Sequence, residues 1–109
     1  MPFWSRRGKS ASVPGATRAD RDAVEAHLRQ FVESRLFVEG YVEPSTNITS
    51  TTVVLIAHDG EWTRRAVATR EDAFGLGKRL EIPVYDVNQT GYPARMREWT
   101  ARQRRDGKA

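Results

Sequence analysis

Apolar residues recur along this chain in two rhythms. Between Asp20 and Leu36, Val24, Leu28, Phe31 and Val32 follow helical spacing together with Arg35, which predicts an amphipathic helix with one apolar stripe. Thr17 or Asp20 can cap its N-terminus, and Glu25 stands four residues before Arg29 as an exposed ion pair. His27 falls off the stripe and has no evident partner in the sequence.

The rhythm then shortens to two. Phe37, Glu39, Tyr41 and Glu43 alternate with Val38, Gly40 and Val42, which predicts a first strand ended by Pro44. The stretch "TTVVLIAH", Thr51 to His58, is β-branched and apolar on both faces, as a central strand is. Asp59-Gly60 follows, a strong hairpin signal. A two-residue loop there pairs Ala57 with Trp62, Ile56 with Thr63 and Val54 with Arg65. That register puts Trp62, Arg64 and Ala66 on the face of Val53, Leu55 and Ala57.

Helical spacing returns after Thr69, an N-cap with Asp72 three residues on. The second helix spans about Arg70 to Leu80 and contains Gly75 and Gly77, which either weaken it or permit close packing on the sheet. "EIPVYDV", Glu81 to Val87, predicts a fourth strand whose Pro83 suits an edge or a strand start. With the third strand and second helix it makes a right-handed crossover. "NQTGY" reads as a loop, and Pro93 opens a last helix to about Arg105. At about 100° per residue, Tyr92, Met96, Trp99, Thr100 and Gln103 share one arc. Arg95 and Arg102 border that arc on one side, Arg97 and Arg104 on the other, and Arg105 lies at the back.

The predicted fold is α+β, in the order α-β-β-β-α-β-α, with a small, mostly antiparallel four-stranded sheet and helices packed on it. Residues 1–18 read as a flexible basic arm, 19–92 as a compact domain, and 93–109 as an arginine-rich helix and tail. At 109 residues one domain is the limit. No stretch approaches the roughly 18 apolar residues of a membrane span. The start has the charge order of no signal peptide, so a cytoplasmic location is expected. The chain has no cysteine, which excludes disulfides, thiolate metal sites and cysteine nucleophiles.

Charge changes the picture more. Residues 1–18 carry Arg6, Arg7, Lys9 and Arg18 and no acid. Residues 19–93 carry eight basic and twelve acidic side chains, and residues 94–109 carry six and two. An acidic centre with a cationic arm at each end suits an anionic partner. The three tryptophans are each followed by a hydroxyl residue and then arginine within three positions: Trp4-Ser5-Arg6, Trp62-Thr63-Arg64 and Trp99-Thr100-Ala101-Arg102. They fall on an arm, a strand and a helix, so they are no repeated unit. Tryptophan with arginine does suit stacking on bases and pairing with phosphates.

Catalytic signals are few. His58 and Glu61 flank the hairpin tip, and Tyr85 and Asp86 end the fourth strand, but no nucleophile or second base joins either pair. "FGLGKR" has the spacing of neither a P-loop nor a dinucleotide fingerprint. The helix–three strands–helix order is similar to a double-stranded-RNA-binding domain. It departs from that pattern where the second helix opens on Arg70-Glu71-Asp72 instead of a lysine cluster, and where a fourth strand follows.

"TTVVLIAHDGEWTRR" with "IPVYDV" and "GYPARMREW" resembles a family of small actinobacterial proteins of unestablished role, over about residues 20–100. Some members carry the label "oxidoreductase", and the resemblance implies that label while supplying no catalytic or cofactor motif. The expectation is a non-enzymatic accessory protein that binds RNA or a ribonucleoprotein. Arg6, Arg7, Arg95, Arg97, Arg102, Arg104 and Arg105 would contact phosphates, and Trp4 would stack. No cofactor, metal or small-molecule substrate is expected. The rival classes are a small enzyme and a module that dimerises through its sheet. An anionic membrane fits the last helix less well, since its stripe is short and holds Thr100 and Gln103.

Overall fold

A computed structural model describes residues 17–107. Its elements run α1 (Arg18–Ser34), β1 (Glu39–Glu43), β2 (Thr52–Ile56), β3 (Trp62–Ala66), α2 (Arg70–Leu80), β4 (Val84–Asp86), α3 (Val87–Thr90) and α4 (Ala94–Arg105). The α+β order is the expected one with a single extra turn of helix, α3. That turn forms because the Asp86 side chain accepts from the Asn88 amide at 2.8 Å and caps it.

Thr17 starts α1 through a reciprocal capping box with Asp20, both bonds being 3.0 Å. Thr69 caps α2 by accepting from the Asp72 amide. β1 is two residues shorter than the alternation suggests. Phe37 has φ 52°, a left-handed conformation that an aromatic residue seldom adopts and that cannot continue a strand.

The strand order is β3-β2-β1-β4. β2 pairs antiparallel with both β1 and β3, while β4 pairs parallel with β1. The sheet is therefore mixed, not mostly antiparallel. The reason is α2, which carries the chain from the β3 edge to the far edge and lays β4 beside β1 in the same direction. The crossover thus joins opposite edges and not neighbouring strands.

The hairpin register differs from the expected one by a residue. Ile56 faces Trp62, Leu55 faces Thr63 and Val54 faces Arg64. The Ala57 amide donates to the Glu61 carbonyl, and the Gly60 amide returns to the Ala57 carbonyl. The loop is therefore His58-Asp59-Gly60, with Gly60 at φ 97° taking the position that needs a left-handed residue. A one-residue slip moves every β3 side chain to the opposite face. Trp62 and Arg64 thus join Val54 and Ile56, and Thr63, Arg65 and Val67 join Val53, Leu55 and Ala57.

Helices cover both faces. Leu28 and Phe31 of α1, with Ala73, Leu76 and Leu80 of α2, pack on Val42, Val53, Leu55, Ala57 and Val67. Met96 of α4 packs with Tyr41, Val54 and Ile56 on the other face, next to Trp62 and Val87. Gly77 lets α2 approach β4: a Cβ there would run into the Val84 side chain and lie 3.2 Å from the Ile82 carbonyl. Gly75 meets only the end of Arg79, so of the two glycines it is Gly77 that the packing requires.

Candidate nucleic-acid interface

The arginine-rich helix α4 is seated on the sheet by its apolar arc and by one of its two basic flanks. Met96 is buried, and the Trp62 indole Nε1 donates to Thr100 Oγ1 at 3.2 Å. The Arg95 guanidinium donates to the carbonyls of Ala57 (2.9 Å) and Ile56 (3.4 Å), and to Glu39 at 2.7 Å. Arg102 donates to the Asp59 carbonyl at 2.8 Å. These two arginines bring further donors to carbonyls at the end of β2 and at the hairpin tip, the Ala57 carbonyl also accepting from the Gly60 amide. Gly60 lies under the same helix, where a Cβ would be 2.7 Å from the Arg95 carbonyl carbon and 2.8 Å from Trp99 Cβ.

The other flank points away. Arg97 and Arg104 are seven residues apart, about 20° from each other around the helix and about 10 Å along it. Both are exposed, as is Arg105. Arg97 touches only the Tyr92 carbonyl, at 3.4 Å, and none of the three has a carboxylate partner among the described residues. Thr100 lies between Met96 and Arg104 on the helix surface and bonds Trp62, so this flank faces the β3 edge. There the half-buried Trp62 ring carries the Arg64 guanidinium 5.0 Å from its centroid.

The body pairs several of its acids with its own arginines. Glu25 holds Arg29 and Arg79, Glu61 holds Arg35, Glu43 holds Arg64 and Asp86 holds Arg70. Of the α4 arginines, Arg95 alone forms an ion pair with the body among the described residues. Part of the acidic centre inferred from composition is thus paired within the body, and it does not draw the whole C-terminal helix onto itself.

Glu43 anchors the loop that leads into α4. Its carboxylate accepts a fork from Arg64 at 2.7 and 2.9 Å, and also accepts from Thr52 and from the Tyr92 hydroxyl. Burial pushes this carboxyl up, but the donors from Arg64, Thr52 and Tyr92 outweigh burial and hold it below the ordinary glutamate range. Burial, followed by the bond to Glu43, raises the Tyr92 phenol.

Of the residues expected to meet nucleic acid, Trp4, Arg6 and Arg7 lie outside the described residues. Arg97 and Arg104 form one open flank with Arg105 exposed behind it, whereas Arg95 and Arg102 are bonded to the body. Sequence reasoning missed Trp62 as part of this surface, because the two-residue loop placed it on the other face. The expected His58–Glu61 pair is not formed: His58 meets the Phe37 ring edge-on at 5.7 Å, and Glu61 is forked by Arg35. Asp86 caps α3 and holds Arg70, and Tyr85 packs on Tyr41 at 5.6 Å. Among the described residues no group of three or more His, Asp or Glu side chains is placed to hold a metal, and no helix is long and apolar enough to cross a membrane. His27, which the sequence left without a partner, meets Thr63 across the α1–β3 groove.

Compared with protein-family models, curated proteins and solved structures, the chain shows no significant match.

Proposed function

We propose that this protein is a non-enzymatic accessory protein that binds RNA, free or in a ribonucleoprotein, along the open flank of α4. Arg97, Arg104 and Arg105 contact phosphates, the exposed part of Trp62 offers a stacking edge, and the basic N-terminal stretch with Trp4, Arg6 and Arg7 extends the contact. The observation that carries this reading is the division of labour on α4. Arg95 and Arg102 fasten the helix, so the opposite flank is presented on a fixed element. Preorganised cations lose less entropy on meeting a polyanion than cations on a loose tail. Single strands suit the site better than duplexes, since stacking needs an unpaired base.

Fluorescence anisotropy with a labelled single-stranded RNA tests the reading. Affinity is expected to fall by about tenfold or more between 50 and 200 mM salt, as three to five released counterions require. Binding that is flat across that range would contradict it.

A further inference from the structure

A concavity with Arg65 beside it opens on the opposite face of the sheet, between α1 and β3. It has a volume of about 360 Å³ and is lined by His27, Gln30, Phe31, Arg35, Glu61, Trp62 and Thr63. His27 Nε2 is 2.9 Å from Thr63 Oγ1, and Arg65 Nη1 reaches the same hydroxyl at 3.4 Å from the mouth. Arg35 lies with its guanidinium 4.4 Å from the centroid of the Phe31 ring and forks Glu61. Arg65 and Glu61 from the β3 side, and Arg35 from α1, are the charged groups around His27. Glu61 is committed to Arg35, so Arg65 is left with no carboxylate among the described residues.

We propose that this groove binds a tetrahedral oxyanion of the phosphate class, held by Arg65 and Thr63 on one wall and His27 on the other. The donor set fits: the His27 imidazole and the Arg65 guanidinium, whose Nη1 also donates to the Arg64 carbonyl at 2.7 Å, both meet the Thr63 hydroxyl, so an anion seated beside that hydroxyl is within reach of all three. Burial, then the charges of Arg65 and Arg35, lower the imidazole below its ordinary value and so favour its neutral form. An anion between His27 and the two arginines offsets that repulsion, and by linkage the imidazole then takes up a proton more readily. The ring thus becomes a second donor to the anion while Thr63 accepts or donates in turn. The aromatic wall and the open side leave room for whatever the phosphate is attached to. Trp62 borders both surfaces, but His27, Thr63 and Arg65 are not among the groups proposed to meet RNA, so the site stands or falls independently of the RNA reading.

The test is proton NMR of the two histidines in the full chain, titrated with pH in sodium sulfate and in sodium chloride at matched ionic strength. Sulfate keeps its charge across this range, so the probe itself does not titrate. Sulfate is expected to raise the midpoint of His27 and leave exposed His58 unmoved. Arg65→Ala weakens that response by about tenfold, the loss of one charged hydrogen bond, and Arg104→Ala leaves it intact. A 5′-phosphorylated oligonucleotide that moves His27 where its 5′-hydroxyl form does not assigns the site to a terminal phosphate. Inorganic phosphate acting where neither oligonucleotide does assigns it to the free ion. Equal movement of both histidines in sulfate, or an unchanged response in Arg65→Ala, would overturn the proposal.

Discussion

The Glu43 carboxylate gathers four donors from three places: Arg64 on β3, Thr52 on β2 and Tyr92 before α4. Removing the charge while keeping the shape leaves the exposed Arg64 guanidinium without its counter-ion and turns an amide NH2 toward donors that the half-buried carboxylate accepted from. Glu43→Gln is therefore expected to destabilise the fold by about 1–3 kcal/mol, read by urea unfolding. The sign with pH follows from a folded carboxyl held below its unfolded value. Its stabilisation is complete above the unfolded value and disappears as pH falls through the folded one. Wild-type stability should thus decline in acid while that of Glu43→Gln declines less; parallel acid profiles would contradict the assignment. His27 acts in the same direction nearer neutrality, since its folded value is also depressed. The stability lost as pH falls from its ordinary value toward the folded one should be absent in His27→Gln.

The docking of α4 turns on Gly60. Its φ of 97° and the closeness of the Arg95 backbone and the Trp99 Cβ both exclude a side chain. Gly60→Ala should cost about 2 kcal/mol and loosen α4, so that trypsin cuts its arginines sooner than in the parent. Unchanged cleavage would show that the helix does not rest on the turn. The helices, and the strands apart from their ends, were legible in the sequence because period and caps agree: Thr17 with Asp20, and Thr69 with Asp72. The register was not. Asp59-Gly60 marks a turn, but loop length depends on where the left-handed residue falls, and that is a tertiary choice coupled to α4. The single-residue slip then hid two contacts, Trp62 with Thr100 and His27 with Thr63. The α3 turn was hidden for a simpler reason: a four-residue helix held by one aspartate cap has no period to read.

Across the whole molecule, arginine plays two parts that composition alone cannot separate. Most body arginines fasten a carboxylate and join elements: Arg79 links α2 to α1 through Glu25, and Arg95 links α4 to β1 through Glu39. Others stay open. The basic C-terminal flank was visible in the sequence as two rails beside an apolar stripe. Which rail is used internally depends on the side from which the hairpin tip meets the helix, and no local pattern encodes that. Edge β3 follows the same economy. Its Thr63 and Arg65 lie in register with Leu55 and Val53 between the bonded pairs at Ala57–Glu61 and Thr51–Val67, so Trp62, Arg64 and Ala66 turn their amides and carbonyls outward. The Arg65 guanidinium covers the Arg64 carbonyl at 2.7 Å, which blunts the edge against pairing with another strand.

The division of α4 into a fastening and an open flank is tested most directly by two variants side by side. Arg97→Ala/Arg104→Ala/Arg105→Ala should keep the parental melting temperature and bind single-stranded RNA with a salt slope smaller by about 2, the share of three phosphate contacts. Arg95→Ala should lower the melting temperature, because it removes the guanidinium that ties α4 to Glu39 and to the Ala57 and Ile56 carbonyls. A triple variant that binds RNA with the parental affinity and salt slope would contradict the account.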